Sequence, residues 1–424
     1  MPPDALPLPL DKFDDALGRR VVETHIWAVR EGLRGSAADA LFDGYCQRLV
    51  AHDVPLWRAH TAMETLHPQW SGYSYTWRRD LNAIQPMRFE HDGGVDAVWV
   101  RSPFFELIRR ARAGEAEPSM RRRLMEGPGQ RDFPVLEEFF SMGATDYFCR
   151  LYSFGEDGDR SHGTGIVYSF ASDGPDGFSD GDLTLIGATL PALSLAMKAD
   201  AGHVIASSLL AAYLGADAGR RVHAGAVQRG STSSIRAALW YADIRGFTAA
   251  SDAAPGPIIV DLLNEVFETL TGPLRARGGQ VLKFIGDALL ATFSLEEGEV
   301  AETCRRALDA ADEAARALDA LSAARAAAGL PVVAVDIALH VGEVLYGNVG
   351  ATDRLDFTVV GPAVNEVARI EALCEPLDRR VLVSAEFVAA MQGDARLESL
   401  GRHALRGVRG TKEMFALPGE LREA

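Results

Sequence analysis

The feature that most constrains this chain is an apolar run at residues 282–293, LKFIGDALLATF, with a Gly-Asp pair at its centre. Two apolar segments joined by two such residues favour a β-hairpin with a tight primed turn. Lys283 lies inside the first segment, on the strand face that it shares with Val281 and Ile285. An unpaired ammonium is costly there, so Lys283 either guards an exposed sheet edge or contacts a ligand.

The elements around this hairpin alternate between strand and helix. Apolar periodicity predicts strands at residues 236–244 and 332–342 and helices at 257–279 and 299–329. Strand, helix, hairpin, helix and strand in this order predict a ferredoxin-like sandwich, which is an α/β (α+β) fold. A further strand at 354–361 and a helix at 363–377, stopped by Pro376, are expected additions.

Two aspartates are placed where this fold can bring them together. Asp243 ends the first strand, and Asp287 lies at the tip of the hairpin. Two carboxylates about 4 Å apart repel by roughly 4 kcal/mol at an effective dielectric near 20, so such a pair needs a cation. Oxygen ligands suit Mg²⁺ or Mn²⁺, and two such ions can grip a phosphate. Alternatively, Asp243 is a helix cap and Asp287 an ordinary turn residue.

The segment after Asp243 reads IRGFT. Its glycine, Gly246, lets the backbone fold tightly, and the N–H groups of Gly246, Phe247 and Thr248 are candidates for holding phosphate oxygens. The segment therefore points to the same chemistry as the aspartate pair.

The first half of the chain differs in composition, with five of the six tryptophans before residue 100. Helical periodicity at 13–56 precedes an aromatic, polar stretch at 57–77, and residues 96–114 predict a strand running into a helix. Two β-rich runs at 145–155 and 163–174 predict neighbouring antiparallel strands, and a capped helix follows from 179. We expect a sensory or regulatory domain at 1–200, a connector helix and linker at 201–234, and a second domain at 235–424.

The net charge, the cysteines and the hydropathy of the chain argue against several classes of protein. The net charge of −16 argues against nonspecific binding to nucleic acid or to an anionic membrane. The four cysteines are widely separated and form no CxxC pair, which favours reduced thiols over a disulfide framework. No stretch reaches the roughly 18 apolar residues of a membrane span. We therefore expect a cytoplasmic protein.

Four motifs give the second half a family resemblance. ADIRGFT, LKFIGDALLATF, ALHVGEVLYGNVG and DFTVVGPAVNEVARI resemble the successive signatures of the class III nucleotide cyclases, over residues 234–418. The resemblance implies a head-to-tail homodimer that converts ATP into 3′,5′-cyclic AMP and pyrophosphate. The order of elements in the first half and the segment GFSDGDLTLI resemble a GAF-type ligand-binding domain.

The cyclase resemblance also implies roles for particular residues. Asp243 and Asp287, together with Ile244, match the positions that bind two Mg²⁺ or Mn²⁺ ions. Asn365 matches the residue that orients the ribose, and Arg369 the residue that stabilises charge on the reacting phosphate. The metal and base contacts would come from one subunit, and Asn365 and Arg369 from the other.

Two further positions bear on the base. Lys283 matches the first purine-contacting position, where lysine accompanies adenine and glutamate accompanies guanine. Thr358 matches the second, and its hydroxyl can both donate and accept. Asp356 lies two residues too early in the motif for that role. ATP is thus favoured over GTP, with a guanylate cyclase or an inactive nucleotide-binding module as the alternatives.

The basic residue that holds the phosphates is not fixed by the motif. The segment LRGVRGTKEMFAL offers Arg406, Arg409 and Lys412, and we expect Arg409 or Lys412. His340 and His403 are interpreted as structural, because the implied chemistry needs no imidazole. An unknown small molecule or protein is the expected regulator of the first domain, in which residues 57–77, with His60 and His67, either line a pocket or fill a core.

Overall fold

The computed structural model of the chain describes residues 15–81, 83–91, 97–154, 165–295 and 299–417. The chain divides into two compact units, Met1–Leu209 and Leu210–Ala424. The division falls inside the segment that the sequence predicts to be a connector. Among the helices of the described segments, none combines the length and the apolar character that a membrane crossing requires.

The first unit contains an antiparallel sheet of six strands in the order β3-β2-β1-β6-β5-β4. Its strands are β1 (Leu56–Glu64), β2 (Trp70–Arg78), β3 (Ala83–Glu90), β4 (Ser119–Arg123), β5 (Asp146–Ser153) and β6 (Gly165–Ser172). Its helices are α1 (Asp15–Arg34), α2 (Ala38–Ala51), α3 (Ala97–Val100), α4 (Pro103–Arg112), α5 (Pro134–Ser141) and α6 (Asp180–Leu214), the last ending beyond the boundary between the units.

Strands β5 and β6 of this sheet are buried on both faces, which explains their near-continuous apolar sequence. In β5, Phe148 and Tyr152 pack into one core, whereas Tyr147, Cys149 and Leu151 pack into another. Successive residues of a strand point to opposite faces, so both sets must be apolar. The predicted pairing of β5 with β6 is confirmed, although residues 155 and 163–164 of the two predicted runs lie outside the described residues.

The second unit contains a larger sheet in the order β13-β14-β12-β10-β7-β9-β8, with β11 paired to β10. Its strands are β7 (Thr232–Arg245), β8 (Gln280–Ile285), β9 (Ala288–Ser294), β10 (Ala334–Gly350), β11 (Leu355–Val360), β12 (Val381–Ser384), β13 (Glu398–Ala404) and β14 (Thr411–Ala416). Its helices are α7 (Ala216–His223), α8 (Phe247–Ala253), α9 (Gly256–Ala276), α10 (Val300–Ala327), α11 (Pro362–Glu371) and α12 (Ala385–Ala390).

The ferredoxin-like prediction is confirmed in the core of this sheet. The four strands β7, β8, β9 and β10 follow the chain as strand, hairpin and strand, and they lie side by side as β10-β7-β9-β8. All three pairings among them are antiparallel. Helices α9 and α10 cover one face, where their apolar residues join those of β7, β9 and β10 in a single core.

Several elements differ from the sequence-based expectations. The aromatic stretch at 57–77 forms most of two paired strands, β1 and β2. Residues 97–100 are a short helix rather than the end of a strand. The expected closing helix and connector helix are one helix, α6, and the expected glycine-rich link contains helix α7. Helix α11 ends at Glu371, before the predicted stop at Pro376.

A close contact fixes the start of helix α11 on the sheet. A Cβ atom placed on Gly342 of β10 would lie 2.4 Å from the Cβ of Ala363 in α11. Only glycine permits this approach, so α11 lies directly against β10. The helix carries Asn365 and Arg369, and its seat on the sheet therefore sets where these side chains project.

Candidate active site

The structure brings Asp243 and Asp287 together. Asp243 is near the end of β7, Asp287 lies in the turn between β8 and β9, and β7 pairs with β9 up to Ala242 and Leu289. The two carboxyl groups lie close enough to interact directly, and Asp243 accepts a hydrogen bond from the N–H of Ile244 at 2.9 Å. Burial, followed by the charge of Asp287, raises the pKa of Asp243 to about 6.

This geometry suits a divalent cation. Two ionised carboxylates in contact repel each other, and a divalent cation compensates that repulsion. The donors are oxygens, which Mg²⁺ and Mn²⁺ prefer. Among the described residues no third His, Cys, Asp or Glu side chain completes a metal site with them. Main-chain carbonyls such as that of Ile244, water and the substrate would have to fill the other ligand positions.

Further charged residues surround the pair. Asp336 of β10 lies opposite Asp243 in the β7–β10 register, and the Arg245 guanidinium donates to both of its carboxylate oxygens, at 2.8 and 2.7 Å. Burial, and then the charge of Asp243, raises the pKa of Glu371 to about 8. The sequence analysis did not single out these residues. Asp336 did carry a signal, because it is a lone charge in a buried strand.

Helix α11 presents Asn365 and Arg369 without partners. In the described part of the chain neither side chain forms a hydrogen bond or ion pair with another residue, and none links them to Asp243 or Asp287. Asn365 is exposed and Arg369 is half-buried. The Arg369 guanidinium lies over Gly407, where an added Cβ would be 3.7 Å from it. Two unpaired polar groups one helical turn apart can bind a common ligand.

Lys283 is paired, and its partner is Asp356. The ammonium of Lys283 on β8 contacts the carboxylate of Asp356 on β11. Thr358 lies two residues further along β11, on the same face of the strand. The Lys283 and Asp356 side chains are 40% and 46% exposed, so the pair contributes little to stability. Its effect is to orient the ammonium, a role for Asp356 that the motif alone did not suggest.

β8 is the edge strand of the sheet. The fold by itself is therefore consistent also with the alternative interpretation of Lys283, as a residue that protects a sheet edge.

The IRGFT segment turns tightly at Gly246. Gly246 has φ of +68°, in the left-handed region that favours glycine, and helix α8 begins at the next residue. Phe247 packs against the core, whereas Thr248 is exposed. The N–H groups at the start of α8 thus follow the carboxylate pair directly in the chain.

Lys412 is bound to two carboxylates. Its Nζ donates to Glu366 at 2.5 Å and to Glu386 at 2.7 Å. Buried His340 lies beside them, with Nδ1 at 2.9 Å from the Ser384 hydroxyl, and burial lowers its pKa.

Lys412 would have to leave both carboxylates to reach a phosphate. Arg406 and Arg409 are exposed and have no ion-pair partner among the described residues, so they fit that role better. His403 contacts the carbonyl of Leu400, as a structural histidine would.

The aromatic stretch of the first unit packs mainly as core. Trp77 is 2% exposed, and the His60 ring stacks on Phe104 and lies 2.7 Å from the Thr76 hydroxyl. Burial lowers the pKa of His60 to about 3, so the ring is neutral. His67 accepts a hydrogen bond from the main chain of Gln69. These contacts favour the core interpretation over a ligand pocket.

The carboxylate pair predicts a pH-dependent effect on stability. Because the folded-state pKa of Asp243 is raised, metal-free protein loses stability as pH rises from about 4 through about 6. Asp243→Asn should therefore raise the thermal unfolding midpoint of metal-free protein at pH 7.5, and less so at pH 5. It should also remove most of the stabilisation by added Mg²⁺.

Asp252→Asn, at an exposed position in α8, is the matched control and should change neither quantity. A lower midpoint for Asp243→Asn at pH 7.5, or equal stabilisation of both variants by Mg²⁺, would contradict this account of the pair.

Comparison with known proteins identifies the second unit. Residues 231–419 match the model of the adenylate and guanylate cyclase catalytic domain. An adenylate cyclase of Anabaena cylindrica is 35% identical over 166 residues, which are 38% of this chain and 32% of that protein. Adenylate cyclase 1 of Rhizobium meliloti (strain 1021) is 29% identical over 188 residues, which are 43% of this chain and 27% of that protein.

The chain thus spans about a third of the length of these relatives or less. Among solved structures, a bacterial light-regulated adenylyl cyclase aligns at 25% identity with a TM-score of 0.46, over 55% of this chain and 66% of that one. The family match covers all four motifs and both aspartates. Residues 231–419 therefore form an adenylate and guanylate cyclase catalytic domain, of the class III nucleotide cyclase family that the four motifs resemble.

Proposed function

We propose that the protein is an adenylate cyclase that converts ATP into 3′,5′-cyclic AMP and pyrophosphate. The observation that carries the proposal is the contact between Asp243 and Asp287 next to the hairpin strand that bears Lys283. Charge and chemistry agree, because a triphosphate with divalent cations complements the acidic pair, and an ammonium complements the acceptor nitrogens of adenine. The adenylate cyclases among the relatives support the same substrate.

Asp243 and Asp287, with the main chain of Ile244, would hold two Mg²⁺ or Mn²⁺ ions. When bound, such ions acidify the ribose 3′-hydroxyl and neutralise the triphosphate. The N–H groups of Gly246, Phe247 and Thr248 follow the acidic pair in the chain and would bind phosphate oxygens.

Asn365 would fix the ribose through its amide, and Arg369 would balance the negative charge that develops on the reacting phosphorus. A well-placed arginine is worth about 10³–10⁵ in the rate of phosphoryl transfer. Arg409, with its exposed guanidinium, is the better candidate for the pyrophosphate, and Lys412 would serve only if released from Glu366 and Glu386.

The proposed enzyme is a homodimer through the cyclase domain. Asn365 and Arg369 lack hydrogen-bond and ion-pair partners among the described residues of their own chain, which suits residues that complete the site of a second copy. The β10–β11 hairpin and the end of β8 also expose several large apolar side chains. These are Phe284, Ile285, Leu345, Val349, Leu355 and Val360. Exposed apolar surface of this kind marks interaction sites.

The base preference is testable by exchange. Replacing Lys283 with Glu and Thr358 with Cys removes the ammonium and hydroxyl and supplies an acceptor for the guanine N–H groups. We expect the double variant to prefer GTP over ATP in a cyclic-nucleotide assay with both substrates, whereas the wild type prefers ATP. Asp356→Asn, which frees Lys283 without removing it, should weaken ATP binding less than the double variant does.

Unchanged ATP selectivity in the double variant would refute the assignment of Lys283 and Thr358 to the base. A wild type that prefers GTP would instead favour a guanylate cyclase.

The first unit is proposed to regulate the cyclase domain in response to a small molecule or protein that the sequence does not identify. Its architecture, a six-stranded sheet between helices, is compatible with the GAF-like prediction, and helix α6 includes the residues at which the chain passes between the units.

We expect full-length protein and a chain that begins at Gly230 to turn over ATP at different rates. Equal rates, with and without a cell extract of small molecules, would argue against regulation.

A further inference from the structure

Helix α1 has two apolar faces, and only one of them packs against other residues that the structure describes. Val21, Thr24 and Ala28 are buried, and their face packs into the first unit. On the other side of the helix, four large apolar residues remain exposed by 39% to 84% of their surface. These are Val22, Ile26, Val29 and Leu33. A solvent-facing helix surface is normally polar, so an exposed apolar stripe of this kind marks a site that binds another surface.

The spacing of the stripe is that of a coiled-coil seam. The four residues follow one another at intervals of four, three and four, which are alternating d and a positions of a heptad. Such a seam packs against another helix of the same pattern. Near its end, α1 approaches α6 closely, since a Cβ on Gly32 would lie 2.7 Å from the Cβ of Ala196. Leu195, the residue before Ala196, is itself 66% exposed and adds apolar surface to the same unit.

The flanking charges distinguish the two ways in which a second α1 can pair. Glu23 and Arg30 occupy the e positions beside the seam, both are exposed, and neither has an ion-pair partner among the described residues. In an antiparallel pair, e positions face e positions, so Glu23 of each copy meets Arg30 of the other. In a parallel pair, Arg30 would face His25 and Glu23 would face Gly18, without any attraction. The charges therefore favour the antiparallel arrangement.

We infer that the Val22–Ile26–Val29–Leu33 face of α1 binds the same face of a second copy of this chain, antiparallel and two-fold symmetric. The same patch then serves both partners, as an isologous contact requires. Each Ile26 packs against Val29 of the other copy, and each Val22 against Leu33. This contact lies in the first unit and is separate from the proposed dimer of cyclase domains.

The area of this α1 face indicates under which conditions two copies can pair through it. A stable interface buries about 800 Å² on each partner, which is more than one stripe of four side chains on a 20-residue helix supplies. The contact is therefore too small to hold two free chains together. In a dimer joined elsewhere, the effective concentration of the second copy rises to about the millimolar range, where a weak contact forms. In this respect the inference rests on the proposed cyclase homodimer.

Cysteine cross-linking of the full-length protein tests the arrangement. All four natural cysteines are buried, so a single new surface cysteine is the reactive thiol. In the antiparallel pair, two copies of residue 26 are offset by about 4.5 Å along the helix axis, whereas two copies of residue 22 are offset by about 16 Å. A short bismaleimide should therefore join two Ile26→Cys chains at least about tenfold more efficiently than two Val22→Cys chains. An equimolar mixture of Val22→Cys and Leu33→Cys should cross-link again.

Met142→Cys, at a 57% exposed position of the same unit, is the matched control and should not cross-link. Cross-linking of Val22→Cys with itself as efficiently as Ile26→Cys would show a parallel pair and overturn the antiparallel assignment. No cross-link at Ile26→Cys would overturn the contact altogether.

Sedimentation velocity on the same samples separates the causes of such a failure. If the protein sediments as a dimer but does not cross-link, only the proposed α1 contact is refuted. If it sediments as a monomer, the proposed cyclase homodimer is refuted as well. The readout needs no turnover, so it does not depend on the identity of the nucleotide.

Discussion

The contact between the carboxyl groups of Asp243 and Asp287 is the constraint on which the rest of this account depends. The sheet order places the end of β7 beside the turn of the β8–β9 hairpin, and both positions are occupied by aspartate. Burial and the charge of Asp287 raise the pKa of Asp243 to about 6, so ionising both carboxyl groups without a cation is unfavourable. The fold thus holds two like charges together at a cost to stability, which is typical of a site built to bind something positive.

A second feature concerns what the chain leaves unsatisfied. Asn365 and Arg369 are held on a helix that Gly342 seats closely on the sheet, yet neither has a partner in the described chain. Their neighbour Glu366 is fixed by Lys412, which also contacts Glu386 near buried His340. Helix α11 is therefore rigidly placed while its polar tips stay free. A rigid scaffold with free functional groups is what a site shared between two copies needs.

Much of the second unit could be predicted because its apolar periods are unambiguous. The two long helices, the Gly-Asp hairpin and the buried strand β10 leave few topologies, and they led to the ferredoxin-like prediction that the sheet confirms. Asp243 and Asp287 could be paired in advance because Asp243 lies near the end of β7 and Asp287 lies in the turn that leads into β9, the neighbour of β7 in this order. The contact of Asp356 with Lys283 could not be predicted in the same way. It depends on how β11 lies against β8, and no local sequence pattern indicates that arrangement.

The first unit was harder to predict for physical reasons. Strands β1 and β2 contain nearly as many polar as apolar residues, so their alternation was hidden among aromatic and charged side chains. The connector looked broken at its glycines, yet Gly202 sits within α6 and Gly219 within α7. Glycine only weakens a helix by roughly 1 kcal/mol, and long neighbouring turns can override it.

The most direct test of the central claim is subunit complementation. Asp243→Ala removes a metal ligand and Arg369→Ala removes the charge-stabilising guanidinium, so each variant alone should be inactive in a cyclic-AMP assay. If one copy supplies Asp243 and the other supplies Arg369, each heterodimer keeps one intact site of two. An equimolar mixture, after subunit exchange, should then recover about a quarter of wild-type activity, because half of its dimers are mixed. A mixture that stays inactive although heterodimers are present would contradict the account.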